Sequence, residues 1–236
     1  TESYLKVKMA RAKDAGMRME VVRLPDAATT QEVIAAVTAP GSDSVIVQLP
    51  LPEELHTDAI LASIPREQDA DVLSAAAYAA FEQELPDALL PPVADAVAEI
   101  CVRSGVSVAG MKALVVGKGR LVGQPVWQWL THQGSDALII TEETKEMLPD
   151  LLPNMDLVVS GAGRAGLVRP ELLKEGVVLI DAGTSESNGA VVGDADPACA
   201  EVASVFTPVP GGVGPVAVAC LFRNAARLAL LTKPGG

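Results

Sequence analysis

Four short apolar runs, at 113–116, 137–140, 156–159 and 177–180, recur through the second half of the chain. They show little of the polar alternation that a half-exposed strand carries, so they read as strands covered on both faces. The spacing between them is too long for hairpins and suits crossover connections. Residues 121–132 read as the first crossover helix. Strands and helices that alternate in this way imply an α/β fold with a parallel, doubly wound sheet. A chain of 236 residues has room for that sheet within one large or two modest domains.

The first half is less regular. Residues 2–15 read as a helix that Gly16 stops. Residues 19–24 alternate loosely and suit a strand. Thr29 and Glu32 form a capping-box pattern at the start of another helix. Residues 44–49 form an apolar run ended by Pro50 and Pro52, which predicts a second buried strand. A helix is expected at 57–63, a Pro-, Asp- and Glu-rich connection at 80–94, a helix at 95–103 and an Ala-rich apolar helix at 214–231.

Charge excludes some partners. With 18 Lys and Arg against 30 Asp and Glu, the net charge is −12. Nucleic-acid binding needs clustered cations, so none is expected. No run of 18 uncharged apolar residues occurs, and no membrane span is expected. No basic leader is visible, which makes a cytoplasmic location the expectation. Cys101, Cys199 and Cys220 lack Cys-x-x-Cys spacing and read as buried free thiols. With His56 and His132 also isolated, no metal site is expected.

Chemistry begins at the first strand of the regular half. Gly117-Lys118-Gly119-Arg120-Leu121-Val122-Gly123 follows that strand and opens a helix. Glycines there let the backbone turn tightly and approach a pyrophosphate, and the helix N-terminus favours the anion. The plain alternative is a glycine-rich turn with no ligand. Glu142 and Glu143 follow the next strand. Acids at that place accept from adenosine ribose hydroxyls and repel a 2′-phosphate, which slightly favours NAD over NADP. Their plain reading is as solvated residues at a helix start.

Elsewhere, Tyr4 and Lys8 lie four apart on one helix face. Gln48 ends an apolar run where ligands bind in open α/β sheets. Asp71 lies in a polar loop. Together these residues resemble the bifunctional methylenetetrahydrofolate dehydrogenase/methenyltetrahydrofolate cyclohydrolase family. Tyr4-x-x-x-Lys8 matches its Tyr-x-x-x-Lys helix, and Val47-Gln48-Leu49-Pro50-Leu51-Pro52 its strand and turn. Residues 116–125 resemble its glycine loop, and residues 207–215 match its Thr-Pro-Val-Pro-Gly-Gly-Val-Gly-Pro signature without a gap.

The resemblance implies two α/β domains with a cleft between them. Residues 1–94, completed by 208–236, would form the folate domain, and 95–207 a Rossmann-type dinucleotide domain. The chain would lack roughly the first 40 residues of the family, about one strand and one or two helices. Lys8 would handle protons in the cyclohydrolase step, with Tyr4 beside it and Gln48 setting its state. Asp71 would hold the pterin ring. Val47, Leu49, Pro210, Gly211, Gly212, Gly214 and Pro215 would line the folate site. Gly117, Lys118, Gly119, Val122, Gly123, Glu142, Glu143 and Thr184 would hold NAD or NADP. The resemblance also implies a homodimer.

Departures cluster on the cofactor side. Val72 stands where the family has glycine, Pro92 and Val93 where it has Cys and Thr, and Lys118-Gly119 where it has Arg-Ser. Glu143 aligns with a polar Ser of the family, and Gly183-Thr184-Ser185 with Gly-Ile-Asn. An active NAD-preferring bifunctional enzyme is the leading reading. The alternatives are a cyclohydrolase with weakened dehydrogenase activity, and a non-catalytic folate- or nucleotide-binding relative.

Overall fold

The computed structural model describes residues 2–187 and 189–232, with the backbone alone at 2–4 and 232. The chain divides into two compact units, Thr1–Pro92 with Val218–Gly236, and Val93–Ala217.

The first unit opens with α1 (Glu2–Asp14). Gly16 ends it at φ +69°, where Met17 N–H returns to the Ala12 carbonyl at 2.9 Å. The capping box forms as expected. Thr29 N–H donates to the Glu32 carboxylate at 2.8 Å, and α2 (Thr30–Val37) follows. Next come α3 (Thr57–Ala62) and α4 (Ala75–Glu82). The last was missed in the sequence, yet Ser74 caps it through Ala77 N–H at 3.2 Å. Two expected strands do not form. Residues 19–24 make no ladder, and 44–49 make one parallel bridge, Val45 with Asp69. Apolar character alone does not make a strand, because a ladder needs a neighbouring backbone in register. Among the described residues only that one bridge is supplied. Val47 instead packs into a core with Val33, Val37, Ile60, Leu61, Ile64 and Leu73.

The second unit starts with α5 (Pro92–Arg103), whose proline occupies the first helical position. β1 (Lys112–Val116), α6 (Gly123–His132) and β2 (Asp136–Ile140) form the first βαβ crossover. After a 3₁₀ segment and the short α7 (Leu148–Leu151) come β3 (Leu157–Ser160) and β4 (Val178–Asp181). β5 (Ser185–Ser187) and β6 (Ala190–Val192) make a small antiparallel ribbon. β7 (Val205–Phe206) completes a parallel five-stranded sheet in the order β2-β1-β3-β4-β7. The four expected strands are therefore real. The central three, β1, β3 and β4, are buried along nearly their whole length. β2 is the edge and alternates in exposure. Leu114, Val116, Val158 and Leu179 turn one face toward Leu148, Leu152 and Met155. Each full Leu burial there contributes about 1.5–3 kcal/mol.

α8 (Val213–Thr232) begins in the second unit. From Val218 it supplies Leu221, Ala225 and Leu228 to an apolar cluster with Ala70, Met17 and Ile46. Val213–Leu231 is long and apolar enough to cross a membrane, with mean hydropathy 1.3. About half of it is buried inside the protein, as in a core helix.

Candidate active site

In the first unit the chain gathers three of the expected groups. Lys8, on α1, is 7% exposed. Its Nζ donates to Gln48 Oε1 at 3.2 Å. The Gln48 amide nitrogen donates to the Leu49 carbonyl at 2.9 Å, which turns the amide oxygen toward the lysine. The Leu49–Pro50 peptide is cis. Tyr4 lies on α1, but its side chain falls outside the described residues.

Asp71 is half-buried. Desolvation pushes its carboxyl up to about 6, the Lys8 charge opposes that rise, and Asp69 adds to it. Its loop is braced from both sides. The Asp69 carboxylate, fully buried, accepts from Leu73 N–H at 3.1 Å and Ser74 N–H at 2.6 Å. Asn224 of α8 donates to the carbonyls of Ala70 at 3.0 Å and Leu90 at 2.9 Å. Neither Asp69 nor Asn224 was singled out in the sequence. Asp69 carries a weak signal as the first acid of Asp69-Ala70-Asp71, and Asn224 carries none beyond being polar in an apolar helix. Val72 has φ +57°. The turn thus keeps the left-handed backbone for which the family uses glycine. A β-branched residue there costs about 1–2 kcal/mol.

In the second unit the glycine loop turns as its composition requires. Gly117 has φ +98°, and a Cβ there would lie 2.8 Å from the Gly161 carbonyl oxygen. A Cβ on Gly123 would meet the Gly117 carbonyl at 1.8 Å, so the loop closes on itself only with glycine at 117 and 123, whereas a Cβ on Gly119 would meet nothing within 4 Å. Val122, at the capping position before α6, makes no side-chain capping hydrogen bond. The expected placement of a dinucleotide pyrophosphate fits this turn and this helix end. Lys118 and Gly119 are exposed beside it, and Thr184 is exposed just before β5.

The two acids after β2 are not unopposed. Glu142 pairs with Lys145 and with Arg164, whose Nη1 lies 3.0 Å away. Hydrogen bonding from Lys145 first, with the Lys145 and Arg164 charges, holds its carboxyl below the usual range. Glu143 accepts from the Thr141 hydroxyl. That bond and the Lys118 charge lower its carboxyl as well. At the ends of β3 and β4 two buried carboxylates organise the turns. Asp194 accepts from Ser160 Oγ at 2.6 Å, Ala162 N–H at 2.7 Å and Arg164 N–H at 2.5 Å. Asp181 accepts from Gly183 and Ala195 N–H groups, both at 2.9 Å, and burial raises its carboxyl. Thr207 Oγ1 accepts from Asp181 N–H at 2.7 Å. This fixes the start of the turn that runs through cis Val209–Pro210, Gly211 and Gly212 into α8, whose first residues include Gly214 and Pro215. Among the described residues no group of His, Cys, Asp and Glu is placed to hold a metal. None of the three cysteines is in a disulfide, and all three are buried.

Residues 1–71 match the family model for the tetrahydrofolate dehydrogenase/cyclohydrolase catalytic domain, and residues 91–233 match that for its NAD(P)-binding domain. The chain belongs to the tetrahydrofolate dehydrogenase/cyclohydrolase family. The bifunctional protein FolD of Methanospirillum hungatei is 35% identical over 80% of this chain and 68% of its own length. The FolD protein of Staphylococcus aureus is 33% identical over 95% of this chain and 80% of its own. Among solved structures, the methylenetetrahydrofolate dehydrogenase-cyclohydrolase of Trypanosoma brucei superposes with a TM-score of 0.91 at 32% identity. It covers 98% of this chain and 82% of its own, and it was solved with NADP and an inhibitor. Family membership agrees with the sheet order, the glycine turn and the Lys8–Gln48 pair.

Proposed function

We propose that the chain oxidises methylenetetrahydrofolate to methenyltetrahydrofolate and then hydrolyses that product to formyltetrahydrofolate. The observation that carries the reading is the partly buried Lys8–Gln48 hydrogen bond beside a carboxyl raised to about 6. Asp71 pairs with N–H donors of the pterin ring when ionised. Val47 and Leu49 flank Gln48 and give the ring apolar contact, with Pro210, Gly211, Gly212, Gly214 and Pro215 as the further folate contacts. The first step removes hydride from a carbon between two nitrogens, and the nitrogen lone pairs stabilise the resulting cation. No strong base is needed there, and orientation supplies the acceleration.

The second step needs proton handling. Water adds to the cationic carbon and one carbon–nitrogen bond then breaks. Lys8 Nζ exchanges a proton with the attacking water and the departing nitrogen, and Gln48 holds the amine in place for both transfers. Tyr4 shares the helix face of Lys8 as the second candidate for substrate contact. The dinucleotide, when bound, supplies the hydride acceptor. Gly117, Lys118, Gly119, Val122 and Gly123 would hold its pyrophosphate, with Glu142, Glu143 and Thr184 as the further contacts. Functionally, residues 1–94 and 208–236 serve folate and 95–207 serve the dinucleotide.

NAD is the preferred cofactor in this reading, because the cations around Glu142 and Glu143 are already matched by carboxylates. A cytoplasmic homodimer is the proposed working form, with the exposed sheet edge β2 and its Leu138, 45% exposed, as support. Paired assays with NAD and NADP test the cofactor claim. Faster methylenetetrahydrofolate-dependent turnover with NAD supports it, and faster turnover with NADP refutes it.

A further inference from the structure

We infer that Arg164 is the residue that decides between a 2′-hydroxyl and a 2′-phosphate on the bound dinucleotide, and that Glu142 withholds it from the phosphate. The inference rests on the dinucleotide reading above. Arg164 sits in the turn after β3, and Glu142 in the segment after β2. The sheet order places β1 between those strands. The Arg164–Glu142 pair therefore spans the carboxyl end of β1, where the glycine loop begins. That is the edge at which adenosine ribose is read in doubly wound sheets.

Two features make Arg164 a selector and not merely a surface cation. Its backbone is anchored, since its N–H donates to Asp194 Oδ1 at 2.5 Å and Asp194 is fully buried. Its Nη1 donates to both Glu142 oxygens, at 3.0 and 3.3 Å, a charge-assisted contact that phosphate oxygens can also accept. The side chain is 53% exposed and that of Glu142 67% exposed. A solvent-exposed pair of this kind is weak, so a doubly charged phosphomonoester can compete for the guanidinium if the carboxylate is removed. Lys145 shares Glu142 and is the rival cation. Glu143 is occupied by the Thr141 hydroxyl and does not replace Glu142 as the partner of Arg164.

Calorimetric titration of the full chain with adenosine 2′,5′-bisphosphate and with adenosine 5′-diphosphate tests this. Glu142→Gln should bind the bisphosphate about tenfold more tightly or better, the gain of one charge-assisted contact. Its affinity for the diphosphate should not rise, because the ribose hydroxyls lose a carboxylate acceptor and gain no partner. The double variant Glu142→Gln with Arg164→Gln should lose the gain, while Glu142→Gln with Lys145→Gln should keep most of it. An unchanged preference in Glu142→Gln overturns the inference. So does a gain that survives loss of Arg164 and disappears with Lys145. Diphosphate binding in these experiments leaves the dinucleotide reading intact. If neither nucleotide binds any variant, that reading falls, and the role of Arg164 falls with it.

Discussion

Asp71 titrates in a range where small changes in acidity alter its charge. Its carboxyl is raised to about 6 by desolvation. The native state therefore keeps the proton to higher pH than the unfolded chain does. The stabilising contribution is full below about pH 4 and is lost as pH rises through about 6, at most about 3 kcal/mol. Asp71→Asn should flatten this part of the stability profile, as urea unfolding at pH 4 and pH 7 would show. Folate binding has the opposite sense. Affinity should fall as pH drops through about 6, because the protonated carboxyl loses an acceptor, and Asp71→Asn should abolish that dependence. Val72 offers a second test at this scale. It is buried and holds φ +57°. Val72→Gly relieves strain that Val115→Gly, in β1, does not. Its unfolding cost should be smaller by about 1–2 kcal/mol. Much at this scale was not legible beforehand. The Lys8–Gln48 contact joins residues 40 apart, and spacing alone gives no reason to pair them; the resemblance did. The Glu142–Arg164 pair had no such guide. Reading Glu142 and Glu143 as ribose acceptors or as solvated residues at a helix start missed it, because an ion pair across a sheet leaves no periodic trace.

Among the elements, those that burial dictates were legible and those that pairing dictates were not. β1, β3 and β4 are enclosed on both faces, so their sequences are apolar apart from the end residues Lys112, Ser160 and Asp181. Residues 44–49 are equally apolar, yet they make a single bridge, because what buries Val47 is a helical cluster and not a sheet. β5, β6 and β7 span two or three residues each, too short for a pattern to show. The capping box at Thr29 was readable because both partners lie within one turn. Thr29→Ala should cost about 1 kcal/mol in unfolding free energy. The turns after β3 depend on a longer connection. Asp194→Ala leaves Ser160 Oγ and the Ala162 and Arg164 N–H groups without their acceptor. A loss of about 3 kcal/mol or more is expected by denaturant unfolding, and less for Asp194→Asn, which keeps an acceptor oxygen.

For the molecule as a whole, two separate units carry two kinds of chemistry. One holds an amine, an amide and a poised carboxyl; the other holds a glycine turn against an uncapped helix end. Under the proposed function, proton handling falls to Lys8 and hydride acceptance to the dinucleotide, so one substitution should separate the two reactions. The most direct measurement follows methenyltetrahydrofolate and reduced dinucleotide together, starting from methylenetetrahydrofolate and NAD. The wild-type chain should produce reduced NAD with little methenyl product accumulating. Lys8→Met should lose hydrolysis by about 10²–10⁴-fold while still reducing NAD, so that methenyltetrahydrofolate builds up. Hydrolysis by Lys8→Met at the wild-type rate, or a wild-type chain that reduces no dinucleotide, would contradict the account.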